Sequence, residues 1–121
     1  LDEGYWLTVA SAHTISYQAY GASSGSRTQS CPKAGWNIIG CPFPAEHKWA
    51  DMRITNGTTT VSLEQARNNG WVNSVGVWWD SVNQSSRDVG LPDDYCFTDN
   101  LQPWHGHWFK TYVDNLTLTQ R

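Results

Sequence analysis

No stretch of this sequence is apolar for long enough to cross a bilayer, and its first residues lack the basic-then-apolar pattern of a signal peptide. Methionine is nearly absent, with Met52 the single one, and the chain starts at Leu1. It therefore reads as a mature fragment or excised module of a larger multidomain protein, with any export signal upstream. Charge is sparse, at 16% of residues, and 8 Lys and Arg against 11 Asp and Glu leave a formal net charge of −3. That balance offers no footprint for nucleic acid and no attraction to an anionic membrane. There is no G-x-S-x-G elbow, no P-loop and no dinucleotide fingerprint, so enzymatic chemistry has little to stand on. Cysteine is limited to Cys31, Cys41 and Cys96, without C-x-x-C spacing. One disulfide with a leftover thiol and three buried thiols both remain open.

What the chain does have is tryptophan, 8 residues of it, set among abundant Ser, Thr, Asn and Gly. That mixture suits an extracellular, secreted, β-rich domain better than a cytosolic helical one. At 121 residues the chain is long enough for one core and too short for two, so residues 1–121 form a single domain. Residues 4–9 and 13–20 read as a hairpin, and residues 36–41, led by Trp36, as an apolar strand ended by Pro42 and Pro44. Residues 49–55 read as a further strand or extended edge closed by the Asn56-Gly57 turn. Short strands follow at 95–98, 106–112 and 116–119. The one helix expected runs from Ser62 to Asn68, where Ser62 and Gln65 form a capping-box pattern and Asn69-Gly70 a stop. Many short strands with one short helix predict an all-β fold, an antiparallel β-sandwich of jelly-roll or barrel-like type. The two ends echo one another, Gly4-Tyr5-Trp6-Leu7 against Gly106-His107-Trp108-Phe109, which places Trp6 and Trp108 in equivalent core positions.

The run from Gly70 to Asp80 carries bulky indoles on both faces of a strand. With a period of two, Val75, Val77 and Trp79 share one side, which reads as core, while Ser74, Gly76 and Trp78 share the other. Two small residues followed by Trp78 predict an indole standing on a shallow surface. Trp104, on a turn between Pro103 and His105, is the next exposed candidate. Flat indoles match the C–H faces of sugar rings, and neutral hydrogen-bonding groups match their hydroxyl rim. The expected carbohydrate site is therefore Trp78 and Trp104, helped by Trp71, Trp79 and Tyr95, with Asp80, Asn83 and Gln102 at the rim. Trp36 reads as core.

Asp80, Asp88, Asp93, Asp94 and Asp99 crowd one loop-rich region, where paired carboxylates serve as acid and base in glycoside hydrolysis. A solvated acidic loop is the favoured reading, with a structural calcium ion as the intermediate one. His105 and His107 stand two apart, but two imidazoles do not make a zinc site. The expectation is no cofactor.

The run Gly35-Trp36-Asn37-Ile38-Ile39-Gly40-Cys41-Pro42-Phe43, with Leu101-Gln102-Pro103-Trp104-His105-Gly106-His107-Trp108 downstream, resembles β-sandwich modules of large exported bacterial proteins. Taken with the surplus tryptophan, the chain resembles a carbohydrate-binding module of a bacterial glucanase, of the family 81 type. The resemblance implies a non-catalytic, monomeric module fused to a glycoside hydrolase. It also implies β-glucan ligands such as cello-oligosaccharides and xyloglucan; mixed-linked glucan is a further expectation. Two alternatives stand beside it: a structural or tandem-repeat domain of a surface or filament protein, and a small glycoside hydrolase.

Overall fold

The computed structural model describes Thr8, residues 10–12, Thr14, residues 26–41 and residues 43–120. The expected hairpin over 4–9 and 13–20, and Trp6 with it, lies almost wholly outside the described residues. Within them the chain runs β1 (Arg27–Cys31), β2 (Gly35–Gly40), β3 (His47–Lys48), β4 (Arg53–Asn56), β5 (Thr59–Ser62), α1 (Leu63–Asn68), β6 (Gly76–Asp80), β7 (Ser85–Val89), β8 (Asn100–Leu101), β9 (Gly106–Thr111) and β10 (Leu116–Gln120). Two four-stranded antiparallel sheets, ordered β1-β10-β4-β5 and β2-β9-β6-β7, make an all-β sandwich, and β3 pairs with β8 beside them.

Alternation along the strands builds the core. In the first sheet Cys31, Leu116, Leu118 and Ile54 point inward; in the second Ile39, Phe109, Trp78 and Val89 do so, and all join one buried cluster. The outer face of the first sheet is a hydroxyl surface, with Thr55 and Thr60 paired at 2.8 Å and Thr28 and Thr119 at 3.4 Å. The outer face of the second sheet is quite different and carries the indoles described below.

The helix forms where the sequence places it. Ser62 Oγ accepts the Gln65 backbone N–H at 3.1 Å, the first half of the capping box, while the Gln65 side chain turns away to donate to Asn69 Oδ1 at 2.8 Å. At the other end Gly70, at φ 73°, donates its N–H to Arg67 and the next N–H, of Trp71, reaches back to Ala66. This is a Schellman close, whose left-handed residue costs glycine nothing.

Several expectations are corrected. Residues 49–51 wind into a single 3-10 turn before β4 instead of extending. Residues 95–98 are not a strand: Tyr95 sits in the left-handed region at φ 55° after the 3-10 turn Pro92–Asp94, and Thr98 makes only an isolated bridge to Val89. The strand expected from Gly70 narrows to Gly76–Asp80, and the polar segment after it supplies β7 as its hairpin partner. Cys31, Cys41 and Cys96 are all free thiols, the first two buried.

The faces of β6 are inverted relative to the expectation. Ser74, Gly76, Trp78 and Asp80 are buried, while Val75 and Val77 are half-covered and Trp79 is exposed. The cause is Trp49, fully buried and far away in sequence. Its indole donates to the Ser74 carbonyl at 2.6 Å, and a Cβ on Gly76 would stand 2.6 Å from its ring. The small residues are thus a notch in the inner face that receives an indole from another element.

Candidate functional site

The outer face of the sheet β2-β9-β6-β7 is set by the same alternation. On β9, His107, Phe109 and Thr111 are buried, so Trp108 and Lys110 face outward. On β2, Ile39 is buried while Trp36 is 54% exposed and Ile38 half-covered. Register then lines up Ile38 with Trp108, and Trp108 with Val77. Trp36 lies two residues before Ile38 and Trp79 two residues after Val77, on strands that run parallel to each other. The two indoles therefore flank Trp108 on opposite sides, and strand rise and spacing separate their backbones by roughly 17 Å along a diagonal.

Trp104 joins from a turn. Its backbone is left-handed, at φ 63°, and its N–H donates to the Cys41 carbonyl at 3.0 Å, which pins the turn to the end of β2. The indole is 53% exposed, and with Trp79, Trp108, Ile38, Ser81, His105 and Gly106 it lines an open cleft of about 220 Å³. Among the described residues no charged side chain lines this cleft. Its chemistry is apolar rings, a hydroxyl and an imidazole.

Trp36 and Trp108 meet edge to face, with centroids 6.5 Å apart and planes at 88°. Lys110 lies over the ring of Trp36 at 5.5 Å and of Tyr112 at 5.7 Å, closing one end of the stripe with cation–π contacts. The indoles therefore present a mixture of faces and edges.

Of the residues expected at the site, Trp104 and Trp79 are brought together in the cleft. Trp78 is not with them: it is 7% exposed and points inward onto His105, His107 and Phe97. Trp71 follows the helix stop and packs half-buried on the core. Tyr95 is 92% exposed on the loop after β7 and is not one of the residues that line the cleft. Asp80 and Asn83 are committed to the β6–β7 turn. Asp80 accepts the N–H groups of Val82 and Asn83, the Asn83 amide at 2.7 Å and Arg87 Nε at 3.3 Å. Those bonds, the Asn83 ones first, hold its carboxyl down at about 2. Gln102 gives its backbone N–H to His107 Nε2 at 3.1 Å and its side-chain amide to the Asn100 carbonyl at 3.2 Å.

Trp36 and Trp108, read from the sequence as core, belong to this face instead. Ile38, Ser81, His105 and Gly106 were not among the expected site residues either. A usable signal was Lys110, which shares parity with Trp108 and so marks that side of β9 as the outer one.

The acidic segment is occupied by structural contacts. Arg67 donates to Asp93 at 3.1 Å and to Asp94 at 3.4 Å, Asp88 accepts the Phe97 N–H at 2.8 Å, and Asp99 pairs with Lys48 at 3.3 Å. The guanidinium bond holds the Asp93 carboxyl below its ordinary range. Among the described residues no three His, Cys, Asp or Glu side chains gather as a metal site.

The chain matches no protein-family model, no curated protein and no solved structure.

Proposed function

We propose that this chain is a non-catalytic module that binds a single β-linked glucan chain along the outer face of the sheet β2-β9-β6-β7. The observation that supports this best is the cleft between Trp79, Trp104 and Trp108, uncharged and extended by Trp36 along the sheet. Indoles offer broad apolar area and an N–H donor at small entropic cost, which suits sugar rings with C–H faces and a hydroxyl rim. Absence of charge at the cleft suits a neutral polysaccharide. The perpendicular Trp36 and Trp108 rings suit one chain turning along a groove rather than a flat crystalline surface.

The non-catalytic part of the reading draws on Asp93, which Arg67 keeps ionised and so unfit to donate a proton near neutral pH. In this reading the module is secreted and holds an attached glycoside hydrolase on plant polysaccharide. The test is calorimetric titration of cellohexaose and xyloglucan oligosaccharides into wild type, Trp79→Ala and Trp104→Ala. Each truncation should weaken binding by about 2 kcal/mol with the fold intact. Wild-type protein that binds no glucan, yet self-associates in a manner abolished by Trp36→Ala, would favour the structural-bead alternative.

A further inference from the structure

We propose that the Trp36 end of the stripe takes a uronic acid residue, its carboxylate held by Lys110, a step that rests on the glucan reading above. Alternation on β9 buries Phe109 and Thr111 and turns Lys110 outward, where register sets it directly across from Trp36. Its ammonium lies 5.5 Å from the ring centroid of Trp36 and 5.7 Å from that of Tyr112. Those rings are 54% and 49% exposed, so the cation sits at the surface between two open aromatic faces. The backbone that carries it is pinned. The Asn73 N–H donates to the Lys110 carbonyl at 2.9 Å, and the Tyr112 N–H to the Trp71 carbonyl at 2.8 Å.

What sets this cation apart is the lack of a carboxylate. Lys33, Lys48, Arg67 and Arg87 each pair with an aspartate of the chain at 3.6 Å or less, whereas Lys110 makes no ion pair among the described residues. The two aromatic faces attract the ammonium, but its three N–H donors still need acceptors. A sugar ring laid on Trp36 displaces water from the ammonium beside it, and a charge stripped of water is costly unless an opposite charge replaces the water. A carboxylate does so through a charge-assisted hydrogen bond. A uronic acid residue brings both parts on one ring, a C–H face for the indole and a carboxylate for Nζ. An acidic peptide brings the charge without the flat sugar face. The cleft of Trp79, Trp104 and Trp108 has no charged lining among the described residues. The ligand class is therefore a glucan chain that is neutral where it crosses the cleft and acidic where it reaches Trp36.

The experiment is calorimetric titration into wild type, Trp104→Ala, Lys110→Gln and Lys110→Arg. The probes are cellohexaose, cellohexaose with glucuronic acid in place of either terminal glucose, the methyl esters of both acids, and hexaglutamate. An ester keeps the shape of its acid and removes the charge. In wild type one acid should bind about fivefold more tightly than its ester, the upper range for a partly exposed ion pair. That ratio should fall toward one in about 0.5 M salt, where the charges are screened. It should vanish in Lys110→Gln and survive in Lys110→Arg, which keeps the charge and the contact with the rings. Equal affinity of wild type for acid and ester, with binding still dependent on Trp104, overturns the proposal and spares the glucan reading. So does a preference for the acid that persists in Lys110→Gln, or hexaglutamate binding as tight as that of the acid. Failure of wild type to bind any of the saccharides overturns both.

Discussion

The sharpest quantitative expectation concerns His107, whose side chain is fully buried. Its Nε2 accepts the Gln102 backbone N–H at 3.1 Å, so the proton sits on Nδ1, which makes no well-formed hydrogen bond among the described residues and has only a partial offset from the His105 backbone. Charging this ring would break the Gln102 bond and place a buried cation beside Trp49 and Trp78. Burial, with a smaller contribution from nearby His105, lowers its pKa from 6.5 to about 4. The unfolded chain therefore binds the proton more tightly than the folded one. The stabilisation is complete above about pH 6.5 and disappears as the pH falls through about 4. A tenfold change in proton affinity is worth about 1.4 kcal/mol, so the whole window amounts to about 3 kcal/mol, or roughly 10 °C in Tm for a chain of this size. Urea unfolding of wild type at intervals from pH 7 to pH 4 measures it directly. His107→Leu should be less stable at pH 7, where the Gln102 N–H loses its acceptor, but nearly flat across the window. Asp80, held at about 2 against an unfolded value of 3.8, begins to lose its contribution only near pH 4, at the acid edge of the window, so the slope between pH 7 and pH 5 belongs to His107. Equal wild-type stability at pH 7 and pH 4, or an undiminished slope in His107→Leu, would refute the reasoning.

Four further expectations concern the scaffold. Gly76→Ala drives a methyl into the Trp49 ring and should cost about 1–3 kcal/mol by overpacking; an unchanged melting temperature would mean that the notch is looser than its geometry. Trp49→Ala should cost about 3–5 kcal/mol, since the indole is fully buried and its N–H is bonded to Ser74. Trp36→Ala, at an exposed position, should leave denaturant midpoints within about 0.5 kcal/mol while weakening glucan binding; a large loss of stability would return Trp36 to the core. Ser62→Ala removes the acceptor for the Gln65 N–H and should cost about 1 kcal/mol, read by thermal unfolding.

How far the sequence could be read depended on whether the deciding contact was local. The α1 cap is local, since Ser62, Gln65 and Gly70 carry the start and stop within a few residues, and it formed where the pattern put it. The strands at β2, β9 and β10 were equally legible, because β-branched and aromatic residues recur there between turn residues. Periodicity also divided each strand into two sides, but it could not say which side was inward. On β6 the answer came from Trp49, whose indole fills the space left by Ser74 and Gly76, and no rule of spacing within β6 contains that information. Small residues opposite valines look like a shallow surface when the strand is read alone; they become an inner notch once a distant ring needs room. The β6–β7 hairpin escaped notice for a related reason. Its turn is secured by Asp80 and by Gln84 in the left-handed region, at φ 52°, so a polar segment of low strand propensity pairs because the turn holds it in register. The site inherits both effects. Once Trp78 turned inward, Trp79 turned outward, and the indoles that β2 and β9 were expected to bury came to lie beside it. Lys110 alone broke the symmetry from within the sequence: a lysine is rarely buried, so its parity with Trp108 fixed the outer side of β9. Register carries that assignment to Ile38 and Val77 on the neighbouring strands. On β9, parity with Lys110 is therefore a better guide to the exposed indole than the size of its neighbours.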